Sequence, residues 1–295
     1  MDESDSKLLE AVRTIRWPAR RVLRSSQSGA HLSRRMGQSA EFVEYRSYRQ
    51  GDDTRRIDWK LLARTDRAYI RLAQDHALLS TMLLLDASAS MAYPVATLAK
   101  WQHARQIALG LCAAIHQSGD PVGVVAAQGA ADSDEERLQH LAARTRRGVV
   151  QEIAKLLREV TPMGTVALAP QLMKLRSSQR AVIISDFLGD TQSLLNTAAQ
   201  FVTQGKEIYA IHVIDSAELD PPHAALLLVD PENSHIRRPM VEATRVRYQA
   251  QFGAWCDSLA REWLTRGAYY VRATTQEPAP FAIRRITRTA NLAGA

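Results

Sequence analysis

A chain of 295 residues has room for a full hydrophobic core, and 46% hydrophobic with 23% charged residues excludes both a disordered and a collagen-like chain. Length alone sets a soft expectation of roughly two domains, or one large one with an extension. The net charge of +7 would suit nucleic acid or an anionic membrane surface, but no RNA-binding aromatic motif, zinc-finger spacing or leucine-zipper heptad accompanies it, so no specific nucleic acid is expected as a partner.

The chain opens with MDESDSK, which is polar, acid-rich and not followed by the apolar region of a signal peptide. No segment reaches the roughly 18 uninterrupted apolar residues of a membrane span. Cys112 and Cys256 lie in helix-like segments among small and apolar neighbours, and they read as reduced core thiols. The expected compartment is the cytoplasm. Through LLEAVRTIRWPARRVLRSS, basic residues alternate with a helical apolar spacing, which predicts a surface helix laid against the body. That basic helix leaves peripheral membrane contact open.

SSQSGAHLSRRMGQSA, residues 25 to 40, is a Ser/Gly-rich polar connector. In EFVEYRSYRQGDDTRRIDWKLLARTDRAYIRLA the first residues alternate as a strand does, and QGDD supplies a turn. IDWKLLART reads as a short helix capped near Asp52 or Asp53, and AYIRLA as a second extended piece. Arg46, Tyr48, Arg49, Asp52, Asp53, Arg55, Arg56, Asp58 and Arg64 alternate in sign around the turn. They predict an ion-paired clasp fastening this appendage, with Trp59 as its apolar anchor.

From residue 80 strands and helices alternate. TMLLLD, PVGVVAAQ, RAVIISDF and EIYAIHVID are short apolar runs typical of buried strands, and ERLQHLAA of an edge strand. Between and beyond them, helices are predicted in VATLAKWQHARQIALGLCAAIHQ, GVVQEIAKLLREV, VALAPQLMKL, SLLNTAAQFVTQ and RVRYQAQFGAWCDSLAREWLTRG. ALLLVDPE and HIRRPMV suggest a strand and hairpin, and AYYVRATT a last strand. His103 and His116, 13 residues apart on one helix, make no ligand pair and are expected at the surface or its boundary.

Continuous apolar strands alternating with helices predict an α/β fold: a doubly wound, mainly parallel sheet with helices on both faces, plus a small N-terminal α+β appendage. The expected division is 1–77 for the helix and appendage, 78–275 for the sheet domain and 276–295 for a tail without an assigned role.

In such a sheet, ligands bind outside the carboxyl ends of the strands, where strand order reverses. Asp86 ends the first buried strand, and Ser88 and Ser90 follow at alternate positions. Asp186 ends RAVIISD, and Thr165 follows a glycine in the loop TPMGT. Two carboxylates and three hydroxyls, all hard oxygen donors without His or Cys, favour Mg²⁺ or Mn²⁺ over zinc. DASAS can also be read as helix capping by Ser88 or Ser90, and Asp186 as the cap of its following turn.

The pattern DASAS, then a threonine after a loop glycine, then ISD at a strand end, resembles the metal-ion-dependent adhesion site of von Willebrand factor A domains. That resemblance maps metal coordination onto Asp86, Ser88, Ser90, Thr165 and Asp186. Upstream, EFVEYRSYRQGDDTRRIDWKLLART is similar to the signature of the DUF58 family, whose members join it to a von Willebrand A-like domain. The resemblance implies a partner, a MoxR-type AAA+ ATPase or its client, and a role as adaptor or co-chaperone in protein maturation or metal-cofactor assembly. An acidic residue of the partner would complete the metal shell. No GxxxxGK[ST] phosphate loop is present, so the chain itself is not expected to hydrolyse ATP.

The competing reading is a Mg²⁺-dependent, phosphatase-like hydrolase using Asp86 as nucleophile. Such enzymes want a second aspartate two positions on, where this chain has Ser88, and no GxSxG elbow appears. The expectation is therefore a non-catalytic interaction module, with a basic nucleic-acid-binding protein as the remaining alternative.

Overall fold

The computed structural model describes residues 2–17, 41–50, 52, 54–74, 79–129, 136–223, 227–229, 237–239 and 241–292. They fall into two compact units, one made of Met1–Arg20 with Leu79–Ala295 and the other of Arg21–Leu78. This division departs from the expected one at both ends. The opening helix α1 (Glu3–Ala11) belongs to the larger unit, because Leu8 and the following Val12, Ile15 and Trp17 bury themselves in its core. The helix is shorter than predicted, and Asp2 caps it by accepting the Asp5 N–H at 2.7 Å.

In the smaller unit β1 (Glu41–Ser47) pairs antiparallel with β2 (Tyr69–Gln74), and α2 (Trp59–Thr65) lies between them in sequence. The cap of α2 is Asp58 rather than Asp52 or Asp53. Its Oδ1 accepts the Lys60 and Leu61 N–H groups at 3.1 and 3.0 Å, while Oδ2 accepts the Tyr45 hydroxyl at 2.8 Å. Asp52 instead closes the turn, through Arg46 at 2.8 Å and the Arg49 N–H at 2.8 Å. Trp59 is 61% exposed and so is not a buried anchor. The connector 25–40 and Asp53 lie outside the described residues.

The larger unit continues with β3 (Thr81–Asp86), α3 (Ala99–Gln117), β4 (Val122–Gly129), β5 (Glu136–Arg144), α4 (Val149–Glu159), α5 (Leu168–Lys174) and β6 (Arg180–Ser185). It ends with α6 (Thr191–Thr203), β7 (Glu207–Ile214), α7 (Ser216–Leu219), β8 (Leu227–Val229), β9 (Arg237–Pro239), α8 (Glu242–Thr265), β10 (Tyr269–Thr274) and α9 (Ala279–Leu292). Six strands form one sheet in the order β10-β7-β6-β3-β4-β5. All neighbours run parallel except β5, which closes the edge antiparallel to β4. β8 and β9 form a separate hairpin.

Every residue of β3 is buried, and the alternation of side chains divides them between two cores. Leu83 and Leu85 pack with α1, α3, α4 and α9, whereas Met82 and Leu84 pack with α5, α6 and α8. Burial on both faces is why these strands read as continuous apolar runs, and each fully covered leucine stabilises the fold by roughly 1.5–3 kcal/mol. In the segment expected as a tail, α9 buries Ala279, Ala282, Ile283 and Ile286, which complete one core. Gly110 permits this, because a Cβ there would stand 2.2 Å from Ile283 Cδ1.

Cys112 and Cys256 are buried free thiols, and burial pushes both upward from their ordinary pKa. His103 is not a surface residue: it is 6% exposed on the core side of α3, and burial lowers its pKa to about 4.

Candidate functional site: a buried acid and hydroxyl cluster

β3 is flanked by β4 on one side and β6 on the other, so sheet order reverses between β3 and β6. Leu85 is level with Ile184 across that boundary, which sets Asp86 beside Ser185 at the two carboxyl ends. The Ser185 hydroxyl donates to Asp86 Oδ2 at 2.6 Å and accepts the Phe187 N–H at 2.9 Å. On the other oxygen, Asp86 Oδ1 accepts the Ser88 N–H at 2.9 Å. The hydroxyls of Ser88 and Ser90 stand 3.1 Å apart, and all four side chains are buried.

Neither serine caps a helix. The short 3₁₀ turn Ala89–Ala92 starts after Ser88 without a side-chain cap, and α3 starts at Ala99, after Leu98, without one. The structure therefore brings Asp86, Ser88 and Ser90 together as the alternating pattern suggested. Asp186 joins them on the next strand, and the backbone then turns at Phe187 with φ 55°. Its Oδ1 accepts the Leu188 N–H at 3.2 Å.

Thr165 is placed differently. Its loop is stitched to the site by backbone bonds, with the Ala89 N–H on the Gly164 carbonyl at 2.8 Å and the Met163 N–H on the Ala87 carbonyl at 2.9 Å. Gly129 at the end of β4 lies so close that a Cβ would approach the Thr165 carbonyl oxygen to 2.5 Å. The Thr165 side chain itself is exposed. A narrow cleft opens beside the cluster, lined by Asp86, Ser88, Ser185, Phe187, Asp190 and Thr191 among others.

Two charged residues at this site carried no signal that the sequence reading used. Lys100 of α3 is fully buried, with Nζ 2.7 Å from Asp186 Oδ2 and 2.8 Å from Glu218 Oε1. Glu218 is held in turn by the capping box of α7, accepting the Asp215 N–H at 2.7 Å. Lys100 could have been noticed as a lysine standing on the stripe of Ala104, Ile107, Ala108 and Leu111, and Glu218 from the D-x-x-E pattern at 215–218. Ser185 was hidden as the polar end of RAVIIS.

Burial, and after it the neighbouring Asp186 charge, raises the Asp86 carboxyl to about 6. Burial works against the Lys100 ammonium, but the Asp186 and Glu218 charges outweigh it and hold the pKa above its ordinary value. Burial raises Glu218, opposed by the lysine. His212 donates to or accepts from Tyr270 at 2.6 Å through Nδ1, and burial lowers its pKa to about 3, so the ring is neutral.

The cluster thus holds more acid than base, in the low-dielectric setting where that excess is costly. A hard divalent cation fits this donor set, because it would relieve the repulsion that raises Asp86. Among the described residues no three His, Cys, Asp or Glu side chains surround a common metal position, so an ion here would lean on serine hydroxyls.

Fold and site define a doubly wound α/β domain with an acid and hydroxyl cluster at its topological switch point. The chain belongs to the DUF58 family: the family model, described as "Protein of unknown function DUF58", matches residues 44–254. It is 32% identical over 251 residues to uncharacterized proteins of Mycobacterium tuberculosis and Mycobacterium bovis, covering 80% of this chain and 74% of theirs. Among solved structures it is similar to the conserved hypothetical protein BatB from Bacteroides thetaiotaomicron, with 16% identity, a TM-score of 0.45 and coverage of 72% of this chain and 99% of that one. A von Willebrand factor type A protein from Catenulispora acidiphila matches with 12% identity, a TM-score of 0.39 and coverage of 73% and 42%. Among the described residues no helix is long and apolar enough to cross a membrane.

Proposed function

We propose that this protein is a non-catalytic, metal-dependent interaction module of the cytoplasm. Asp86, Ser88, Ser90, Thr165 and Asp186 would hold Mg²⁺ or Mn²⁺, Thr165 by a turn of its exposed side chain. Bound there, the ion supplies an electrophilic point of attachment for a carboxylate of a partner protein. The partner proposed is a MoxR-type AAA+ ATPase or its client, with this chain as adaptor in protein maturation or metal-cofactor assembly.

One observation carries the reading. Asp86 and Asp186 lie buried at the switch point between β3 and β6, beside two serine hydroxyls 3.1 Å apart. Structural stability does not call for two acids of like charge in such a place, and oxygen-rich cation binding does. The hydrolase alternative has less to use. The position two residues after Asp86 is Ser88, whose hydroxyl meets Ser90, and His212 turns Nδ1 to Tyr270 rather than to a serine.

Affinity capture from native lysate, in Mg²⁺ or in EDTA, tests the proposal with wild type beside a folded Ser88→Ala/Ser90→Ala variant. An AAA+ ATPase or its client should be recovered only by wild type in Mg²⁺. Equal recovery in all samples would sink it.

A further inference from the structure

Lys100 changes what a cation would meet at this site. The ammonium is fully enclosed and lies within hydrogen-bond distance of two carboxylates, Asp186 Oδ2 at 2.7 Å and Glu218 Oε1 at 2.8 Å. The two acids are held to different ends. Glu218 is fixed to its own helix turn by the Asp215 N–H at 2.7 Å. Asp186 gives Oδ2 to Lys100 and accepts the Leu188 N–H at 3.2 Å through Oδ1, while its charge also bears on Asp86.

A buried ammonium without a counter-charge is strongly disfavoured. Glu218, 2.8 Å from the ammonium, gives Lys100 a second counter-charge beside Asp186. The arrangement is therefore a cation with one permanent partner and one that can be handed over.

Resting on the metal reading above, we infer that Lys100 is a built-in competitor for Asp186: it stands in for a divalent ion when none is bound, and withdraws onto Glu218 when one binds. The consequence is a site that stays folded without metal and binds it only moderately. Exchange with the medium is then easy, as a reversible docking module requires. A lysine serving only as a packing element would make the opposite prediction, because its removal would loosen the site and weaken metal binding.

The test is Mn²⁺ titration of the full chain by calorimetry, with wild type, Lys100→Met, Glu218→Gln and Asp86→Asn, and thermal melts with and without Mn²⁺. An opposite charge this close shifts a carboxylate's equilibrium by one to three log units, so Lys100→Met should bind Mn²⁺ roughly tenfold more tightly or better. Its metal-free form should melt lower, so the rise on adding Mn²⁺ should exceed that of wild type. Glu218→Gln, which leaves the lysine to Asp186 alone, should bind more weakly than wild type.

Equal or weaker binding by Lys100→Met overturns the inference and leaves the metal reading standing. Absence of binding in wild type and Lys100→Met alike, or binding undisturbed by Asp86→Asn, overturns the metal reading and the inference with it. Should Lys100→Met fold only in the presence of Mn²⁺, the stand-in role is supported. Should it not fold at all, Glu218→Gln decides, and an affinity unchanged from wild type overturns the inference.

Discussion

The two ends of the central sheet each bury a basic side chain among acids, and they do so to different effect. At the amino end Arg180 is fully buried, with Nε donating to Glu207 at 2.9 Å and a terminal nitrogen to the Trp17 carbonyl at 3.1 Å. Its guanidinium lies over the Trp17 ring, 4.5 Å from the centroid. Glu207 meets that base by a hydrogen bond and buried Asp120 through its charge, with a carbonyl and an aromatic face beside it. At the carboxyl end one lysine serves Asp186 and Glu218 while Asp86 is bonded by neutral donors alone. At the amino end the Arg180 charge reaches both acids; at the carboxyl end the Asp186 charge raises Asp86, which accepts from neutral donors, and a bound cation would relieve that repulsion.

The largest expected effect separates those two roles. Arg180→Met leaves Glu207 without its partner and frees the first residues of the chain from the sheet. It should cost about 3–5 kcal/mol in urea unfolding, with Mn²⁺ affinity unchanged in the protein that remains folded. A loss of metal affinity equal to that from Asp86→Asn would erase the distinction between the ends.

How much of this was legible follows the same division. β3, β4, β6 and β7 were visible because burial on both faces demands unbroken apolar runs. Asp86, Ser88, Ser90 and Asp186 were visible because a polar residue closing such a run is conspicuous. Lys100 and Glu218 were not, because their pairing spans 118 residues and only the fold brings α3 against α7. Trp17 was missed as a core residue for a related reason. Its ring is buried by Tyr209, 4.7 Å away, and by Arg180, neither of which local spacing could indicate. Several aspartates precede α2, and the one directly before Trp59, Asp58, caps it through Oδ1 while Oδ2 accepts the Tyr45 hydroxyl from β1.

A smaller effect sharpens the comparison within a single helix. α3 carries both Lys100 and His103, and burial opposes the charge on each. Lys100 has acids to hold its proton, whereas His103 Nε2 is buried without a hydrogen-bond partner among the described residues. Its folded pKa is about 4, below the ordinary value near 6.5. The unfolded chain therefore binds this proton first. Stability is intact above pH ~6.5 and is lost as pH falls toward 4, at about 1.4 kcal/mol per pH unit. Replacing the ring by Leu should flatten that acid limb between pH 6.5 and 4 in chemical denaturation. An unaltered slope would mean that the ring is solvated and that desolvation does not govern it.

The smallest effect belongs to the Arg46–Asp52 pair of the smaller unit, which lies 2.8 Å apart with side chains 37% and 24% exposed. Its sequence reads as a clasp, yet water reaches both partners, and an ion pair screened in this way contributes little. The Asp52 carboxylate has a second task, since it also accepts the Arg49 N–H that closes the turn after β1. Arg46→Ala should thus change the unfolding free energy little, whereas Asp52→Ala should cost more because the turn loses its acceptor. Equal costs would assign the turn to the ion pair, and raising the salt concentration should then remove both. If only the Asp52 cost survives high salt, backbone capping rather than charge holds this turn.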